Sequence, residues 1–569
     1  MTFPLWGPSR NGDSIRFRLW APAFAEIALE LDGKLPIAMT PAGRGWHEMS
    51  LPAGADTRYR FVVGETAVPD PAARAQDGAW SVVVDPDSFR WRTTDWRGRP
   101  WAESVFCELH AGLLGGFAGI GQALPGLAEL GITAIELMPI AQFPGSRNWG
   151  YDGVLPYAPA QAYGTPDALK RMVDHAHALG ISVFLDVVYN HFGPDGNYLP
   201  LYAPQFFRED RRTPWGAAID FRREEVRRFF IDNAIYWVTQ FRIDGLRLDA
   251  VHAIGDDDFL IELARDVHEA APGRHVHIVV ENENNDASFL RRGITAQWND
   301  DFHHAIHVML TGEGEGYYRD YAAAPAEGLA LALREGFIFQ GQYSGTCGRS
   351  RGTPSGDLPP TAFVDFLQNH DHVGNRALGE RLVVLADPKV LEATIALLLL
   401  APQIPLLFMG EEIGSRAPFL YFCEHGDPKL ADAVREGRRS EFAEFSAFAD
   451  SGARATIPDP NAEATFERSR PRPGNDAQHW RALYRDLLRL RREQIVPHLE
   501  GAVALRSEVI GEKAVSASWK LGNGATLIIA CNLGSTPARF DAPKRNPLWG
   551  TRRDGSIAPM STLCWILPP

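Results

Sequence analysis

The segment FRIDGLRLDAVH, residues 241–252, contains the strand-like stretch 245–251, in which Arg247 and Asp249 stand two positions apart among apolar residues. Side chains alternate between the two faces of a β-strand, so Arg247 and Asp249 point to one face while Leu246 and Leu248 point to the other. An arginine on the same face favours the ionised form of the aspartate and lowers its pKa. The segment therefore predicts a carboxylate that stays charged at the end of a buried strand.

A second and a third acid complete a pattern that suits one reaction class. Glu281 follows the apolar segment 277–280, and burial there, with an Asp249 anion nearby, would raise its pKa. Asp371 follows His370 in QNHDHVGNR. Cleavage of a glycosidic bond needs one carboxyl that stays ionised and one that stays protonated near neutral pH. Each acid alone fits a helix cap or a loop ion pair better, but the three together favour glycoside hydrolysis.

Eight short apolar segments, separated by helical stretches such as 166–180 and 224–241, must position these acids. This alternation indicates an α/β fold of the (β/α)8 TIM barrel type. Polar side chains follow strand after strand, and active sites of such barrels are built at the C-terminal ends of the strands. We therefore expect the three acids to meet at one rim. The predicted strands are 105–110, 132–139, 182–190, 245–251, 277–282, 294–300, 362–371 and 404–412.

Changes of composition along the chain predict three domains. Short alternating segments over residues 1–98 predict an N-terminal β-sandwich of the carbohydrate-binding kind. The catalytic barrel is expected over 99–496, with a polar, Pro-rich inserted loop or subdomain near 425–475. Strand patterns return over 497–569 and predict a C-terminal β-domain.

Charge and composition exclude several classes of protein. The 569 residues carry a formal net charge of −14, so no nucleic-acid partner is expected. The most apolar stretch, 395–410, is interrupted by Pro402 and Pro405 and is too short to cross a bilayer, so no membrane partner is expected. The N-terminal segment 1–17 has no basic and apolar secretory pattern, and the cysteines form no CxxC pair. These features predict a cytoplasmic protein that acts on a neutral, polar substrate.

Four motifs together resemble the signature regions of the α-amylase superfamily of retaining glycoside hydrolases, glycoside hydrolase family 13. The motifs, in the superfamily's order and spacing, are DVVYNH (186–191), GLRLDAVH (245–252), VEN (280–282) and QNHDHVGN (368–375). The resemblance covers the barrel, about residues 100–495. It implies that Asp249 is the nucleophile, Glu281 the general acid/base and Asp371 the stabiliser of the transition state.

The resemblance also implies contacts with the substrate around the cleaved bond. It implies sugar contacts for His191, Arg247 and His370, a stacking platform in Tyr151, and a position on the leaving-group side for His252. Asp186 is expected to be a structural partner inside the barrel. The complete predicted set of substrate-binding residues is Trp149, Tyr151, His191, Arg247, His252, Asp300, Asp301, His303, His304, His370 and Asn375.

The segment WNDDFHHAIH leaves two further interpretations open. His303 and His307 are four residues apart on a possible helix, with Asp300 and Asp301 nearby, which permits a metal site. Glycosidic chemistry needs no metal, so neither a metal nor a cofactor is predicted. The other alternative is a solvated helix start that an aspartate caps.

Within the superfamily, NWGYDGVLPYAPAQAYG (148–164) resembles both glycogen branching enzymes and maltooligosyltrehalose trehalohydrolases. Residues 298–307, 337–344 and 408–422 are similar to the second group, although SGTCGRSRGTP (344–354) departs from its pattern. That group cleaves the α-1,4-glucosidic bond next to the terminal trehalose of maltooligosyltrehalose and releases trehalose. The resemblance thus implies this glucan as substrate and functional coupling to maltooligosyltrehalose synthase. The alternatives are a 1,4-α-glucan branching enzyme and a non-catalytic glucan-binding protein.

Overall fold

The structure is a computed structural model that describes residues 6–569, except for the side chain of Glu444. Within these residues, eight parallel strands close into a barrel, which confirms the predicted fold class. Each strand ends earlier than the sequence pattern indicates, because the polar residues that follow it form the rim. The barrel strands are β1 (Phe106–Leu109), β2 (Ala134–Leu137), β3 (Ser182–Val187), β4 (Gly245–Leu248), β5 (His277–Val280), β6 (Ala296–Trp298), β7 (Phe363–Phe366) and β8 (Ile404–Phe408).

The interior of the barrel contains a cluster of apolar side chains, and ionisable side chains lie nearer the rim. Parallel pairing sets Glu108 of β1 beside Glu136 of β2, and Asp186 of β3 beside Arg247 of β4. Alternation along each strand directs these four residues to the same side as the apolar cluster. That cluster consists of Phe106, Ala134, Phe184, Val279, Ala296, Trp298, Val364, Phe366, Ile404 and Leu406.

Helices surround the barrel and connect most of its consecutive strands. The helix over Pro166–Ala178 begins as its sequence indicates, because Thr165 accepts a hydrogen bond from the amide of Ala168 and proline occupies the first turn. The helix predicted over 224–241 is also present. The longer helices are α1 (Gly116–Leu130), α2 (Pro166–Ala178), α3 (Glu224–Gln240), α4 (Asp257–Ala270), α5 (Asp300–Thr311), α6 (Pro325–Glu335), α7 (Pro388–Leu400), α8 (Pro428–Glu441) and α9 (Ala477–Leu490).

Antiparallel sheets precede and follow the barrel. In the N-terminal domain one sheet contains Ser9–Asn11, Ser14–Trp20, Trp46–Leu51 and Thr40–Gly43, and the facing sheet contains Ile37–Ala38, Ile27–Leu31, Arg58–Val63, Trp80–Val82, Ala75–Asp77 and Thr66–Val68. In the C-terminal domain the main sheet contains Val503–Gly511, Ala514–Lys520, Thr526–Asn532 and Ser561–Leu567. Residues 1–5 lie outside the described residues. They belong to the predicted sandwich and to the N-terminal segment 1–17, for which no secretory pattern was predicted.

The segment near 425–475, predicted as an inserted loop or subdomain, is largely helical. It contains α8 and the short helices Ser451–Arg454 and Glu463–Arg468. Arg438 of α8 is buried and donates hydrogen bonds to the carbonyls of Gly374 and Arg376, at 2.7 and 3.1 Å. These bonds hold the insertion against the segment that follows β7, where it borders the rim of the barrel.

Within residues 6–569, no helix has both the length and the apolar character that a membrane span requires.

Asp365 of β7 gives a test of how the buried polar residues respond to pH. Its Oδ1 accepts a hydrogen bond from Asn299 at 2.8 Å, while its Oδ2 has no partner. Burial raises the pKa of Asp365 to about 7, despite the Asn299 bond and the Arg491 charge. Its pKa in the folded state exceeds that in the unfolded state, so its stabilising contribution is present at low pH and is lost as the pH rises through about 7.

We therefore expect the parent to lose about 2 kcal/mol of stability relative to Asp365→Asn between pH 5 and pH 8. Urea midpoints of both proteins at the two pH values measure this difference. An equal separation between parent and variant at both pH values would contradict it.

Candidate active site

A cavity of about 1180 Å³ opens where the C-terminal ends of the barrel strands meet. It exceeds the roughly 300–1,000 Å³ of most small-molecule pockets and therefore suits an oligomeric ligand. Asp249 follows β4, Glu281 follows β5 and Asp371 follows β7, and all three line this cavity. The structure thus brings the three sequence-predicted acids together at one rim.

Asp249 is held as an anion by a residue of β4 and a residue of the segment that follows β3. Its Oδ1 accepts a hydrogen bond from Arg247 Nη1 at 2.7 Å, and its Oδ2 accepts one from Asn190 Nδ2 at 2.7 Å. Burial alone would raise the pKa of Asp249, but the charges of Arg247 and His191 and these two hydrogen bonds lower it overall. Asp249 is therefore ionised at neutral pH and directed into the cavity.

Glu281 has the opposite character. Burial is the main cause that raises its pKa well above the usual value, with smaller contributions from Asp249, Asp371 and Asp300. Arg247 Nη2, 2.6 Å from Glu281 Oε2, opposes this shift without reversing it. Glu281 is therefore protonated at a pH at which Asp249 is charged.

The backbone next to Asp249 also contributes to the site. Ala250 has φ of +41°, in the left-handed region that residues other than glycine rarely adopt. In this conformation its amide donates a hydrogen bond to Glu281 Oε2 at 3.0 Å. A strained turn after β4 thus contacts the acid that follows β5.

Arg247 links the acids to the interior of the barrel. It is fully buried, donates to both oxygens of Asp186 at 2.8 Å, and lies 4.2 Å from the ring centre of Trp298. Burial raises the pKa of Asp186 to about 6, even though the Arg247 charge acts against it. Asp186 is a structural partner inside the barrel, as the sequence indicated.

His370 and Tyr151 connect Asp371 to the same network. His370 Nε2 lies 3.4 Å from Asp371 Oδ1 and 2.8 Å from the hydroxyl of Tyr151, and the two rings stack at 5.2 Å. Asn375 donates a hydrogen bond to Asp371 Oδ1 at 3.1 Å. Tyr151 and Asp371 therefore lie beside each other in the cavity wall.

The predicted sugar-contacting residues separate into two groups. Those that line the cavity are Trp149, Tyr151, His191, His252, Asp300, His304, His370 and Asn375. Arg247, Asp301 and His303 do not line it, and their predicted direct contacts with sugar need correction. Arg247 lies beneath the acids. Asp301 is buried and accepts hydrogen bonds from the amides of Ile338 and Phe339, and His303 is buried with Nδ1 2.5 Å from the Leu367 carbonyl.

Aromatic residues and neutral histidines make up much of the remaining wall. His304 stacks on Tyr321 at 4.8 Å, and burial lowers the pKa of His304 to about 4. His372 is likewise buried, which lowers its pKa well below the usual value. Uncharged rings of this kind suit a neutral, polar ligand. Within residues 6–569, His, Cys, Asp and Glu side chains form no group of three or more that could hold a metal ion.

Several residues that line the cavity are not among those predicted from the sequence. Arg351 comes from the segment 344–354 that departs from the expected pattern, and it donates a hydrogen bond to the Tyr321 hydroxyl at 2.6 Å. The insertion adds an apolar portion to the wall, from Phe442, Phe445 and Phe448. The spacing of three between the phenylalanines of FAEFSAF is a signal that could have placed them on a shared face.

Comparisons with known proteins agree with this geometry. The chain is 42% identical to the malto-oligosyltrehalose trehalohydrolase of Deinococcus radiodurans over 94% of this chain and 92% of that protein. It is 38% identical to the enzyme of that name from Saccharolobus solfataricus over 87% of each. The chain belongs to the malto-oligosyltrehalose trehalohydrolase family.

Structural and domain-level comparisons support the same family within the α-amylase superfamily. A crystal structure described as an α-amylase from Salmonella typhimurium has a TM-score of 0.93, 43% identity and 99% coverage of both chains. The model of the α-amylase catalytic domain matches residues 83–200, and a domain of unknown function, DUF3459, matches residues 504–565. A 1,4-α-glucan branching enzyme from Ralstonia nicotianae is more distant, at 28% identity over 90% of this chain and 73% of that protein. This trehalohydrolase family member is thus a glycoside hydrolase of the α-amylase type.

The shared guanidinium generates a prediction about stability. Arg247→Met leaves Asp186 and Asp249 buried without their cation, and removing one partner of a buried ion pair typically costs about 3–5 kcal/mol. We expect a loss of that size, partly recovered in the double variant Arg247→Met with Asp186→Asn. Arg291→Met is the matched control, because Arg291 pairs with Asp357 at the surface, where such a pair contributes about 0–1 kcal/mol. Urea midpoints measure all three, and an Arg247→Met loss equal to that of the control would contradict the prediction.

Proposed function

We propose that this chain hydrolyses the α-1,4-glucosidic bond next to the terminal trehalose of maltooligosyltrehalose, with retention, and releases trehalose. The observation that carries the reaction class is one guanidinium, Arg247, bonded to two carboxyls whose pKa values shift in opposite directions. Membership of the trehalohydrolase family supports the substrate. Both the charge pattern of the cavity and its volume agree with a neutral glucan chain.

The reaction follows a double displacement. An oxygen of Asp249 attacks the anomeric carbon while Glu281 gives its proton to the glycosidic oxygen, so the bond to trehalose breaks and a glycosyl ester forms. Glu281, now a carboxylate, takes a proton from water, and that water oxygen attacks the same carbon and releases Asp249. The two steps together return the site to its starting charges, because Glu281 loses one proton in the first step and regains one in the second.

The neighbouring side chains hold the sugar ring during this exchange. Asp371, fixed by Asn375, faces the ring that carries the developing positive charge. Tyr151 lies beneath this ring, and His191 and His370 line the cavity beside it. Arg247 acts one layer below, where it keeps Asp249 and Glu281 directed at the same bond. These roles extend the catalytic assignment to the residues that line the cavity.

The proposal includes functional coupling to maltooligosyltrehalose synthase, because a reaction that builds the terminal trehalose unit must precede one that releases it. It also includes a cytoplasmic location. In support of that location, Cys107, Cys347, Cys423, Cys531 and Cys564 are all unpaired thiols, the state that reducing compartments maintain.

An assay of the purified protein with maltooligosyltrehalose tests the activity. We expect free trehalose, and at least about 10³-fold lower kcat in Asp249→Asn and in Glu281→Gln. Asp357→Asn, which neutralises an exposed acid paired with Arg291, is the matched control and retains parental activity. New α-1,6 branches on amylose without trehalose release would instead identify a branching enzyme. Binding of the glucan with no turnover in the parent would identify a non-catalytic binding protein.

The pH dependence of kcat/KM tests the assignment of acid and nucleophile. As the pH falls, Asp249 takes up a proton only below the usual aspartate range, because Arg247 and its hydrogen bonds lower its pKa despite burial. As the pH rises, Glu281 loses its proton only well above the usual glutamate range, chiefly because it is buried. We therefore expect a bell-shaped profile broader than two ordinary carboxyls would give. An alkaline limb at the ordinary glutamate pKa would contradict the assignment.

A further inference from the structure

A buried glutamate on β1 has no part in the proposed reaction, yet it contacts the site. Glu108 has an exposed fraction of 1%, and its two oxygens both bind His370. Oε2 accepts the hydrogen bond of the His370 amide at 2.9 Å, and Oε1 lies 2.5 Å from His370 Nδ1. One carboxylate therefore fixes both the His370 ring and the start of the short helix His370–Gly374, which carries Asp371.

The contacts beyond His370 determine which atoms carry protons. The Tyr151 hydroxyl lies 2.6 Å from Asp186 Oδ2 and 2.8 Å from His370 Nε2. A hydroxyl has one hydrogen, and a carboxylate can only accept, so Tyr151 donates to Asp186 and accepts from His370 Nε2. The other ring nitrogen, Nδ1, donates to Glu108. His370 consequently carries a proton on both nitrogens and is an imidazolium.

The groups around His370 agree with this charge. Glu108 and Asp371 are the anions that face the ring, at 2.5 and 3.4 Å, and Asp186 lies one hydrogen bond further away. The one cation among them is Arg247, which opposes the charge on His370. Although burial acts against it, the anions raise the pKa of His370 to about 10.

The other titratable neighbours of His370 are electrically neutral. Burial lowers the pKa of His110 to about 4 and the pKa of His372 well below its usual value. Burial likewise raises the pKa of Glu136 well above the usual range. Among the titratable neighbours within the described residues, Glu108 is thus the anion that contacts His370 Nδ1.

We propose that Glu108 is a positioning residue whose negative charge keeps His370 doubly protonated and thereby sets the direction of the hydrogen bonds from His370 through Tyr151 to Asp186. Asp186 then keeps both oxygens as acceptors for Arg247, which holds Asp249 and Glu281. Without the charge on Glu108, His370 loses a proton, and the Tyr151 hydroxyl can turn from Asp186 towards the ring. This inference rests on the proposed function in one respect, because the effect of Glu108 on turnover is measured with the proposed hydrolysis reaction.

The kinetic test uses Glu108→Gln, which removes the charge and nearly preserves the shape. We expect kcat to fall about tenfold or more while KM changes less than about threefold, because the network orients the reacting groups rather than binding the ligand. Glu281 sets the alkaline limb in the parent, and in Glu108→Gln this limb should move to lower pH by about one unit or more, because His370 then deprotonates before Glu281 does. An unchanged alkaline limb would overturn the proposal.

Two further variants separate charge from packing. Glu108→Asp retains the charge on a shorter side chain and is expected to keep the alkaline limb of the parent even if kcat falls. A limb displaced as in Glu108→Gln would overturn the role of the charge. Glu136→Gln is the matched control, because Glu136 of β2 stands opposite Glu108 in the strand register and is also buried. Unlike Glu108, it is neutral, and its Oε1 has no hydrogen-bond partner. It is expected to retain the parental pH profile.

A measurement on the parent keeps the proposal testable if a variant fails to fold. With ¹⁵N-labelled histidine, both ring nitrogens of His370 should show the chemical shifts of a protonated imidazole at pH 8, assigned by the signal that His370→Asn removes. A neutral ring at that pH would overturn the proposal. This spectrum needs no substrate, so it stands whether or not the parent releases trehalose.

Discussion

The buried guanidinium of Arg247 is the interaction on which both the fold and the site depend. Moving a charge of this size out of water costs several kcal/mol, and that cost is offset only when anions and hydrogen bonds surround it. Here Asp186 meets it from β3, while Asp249 and Glu281 meet it from the rim. Because strand pairing sets Asp186 beside Arg247, the pairing of β3 with β4 also positions the guanidinium that holds the acids at the rim.

This arrangement also explains how two chemically similar side chains acquire different protonation states. Asp249 receives hydrogen bonds from Arg247 and Asn190, whereas Glu281 receives one from Arg247 and one from the Ala250 amide and is surrounded by other carboxyls. A single cation cannot stabilise every nearby anion. At Glu281, burial and the neighbouring Asp249, Asp371 and Asp300 outweigh the two hydrogen bonds, so this acid keeps its proton. That is the division of protonation states that hydrolysis with retention requires.

The sequence indicated the barrel and the three rim acids because both depend on local periodicity. Strands of a parallel barrel are short apolar runs, and the polar residues that follow them mark the rim. Asp249, Glu281 and Asp371 could therefore be predicted without knowledge of tertiary contacts. The predicted sugar contacts include Asp300, Asp301, His303 and His304 of α5 alike. The helix period instead places Asp300 and His304 on the cavity side and turns Asp301 and His303 into the core.

Contacts between distant parts of the chain could not be predicted from the sequence in the same way. The wall formed by Phe442, Phe445 and Phe448 depends on how Arg438 anchors the insertion to the segment after β7, over more than 60 residues of sequence. The bond of Glu108 to His370 spans 262 residues. Propensity and spacing carry no information on such pairs, so a single sequence could not reveal them.

The left-handed backbone at position 250 has a consequence for how this site can be mapped. The amide of Ala250 contacts the proton donor, while its side chain is already a methyl group. Systematic replacement of side chains by alanine would leave this residue unchanged and would therefore show no contribution from it to activity. A main-chain contribution of this kind becomes visible only when the amide itself is altered, for example by replacing the peptide link with an ester.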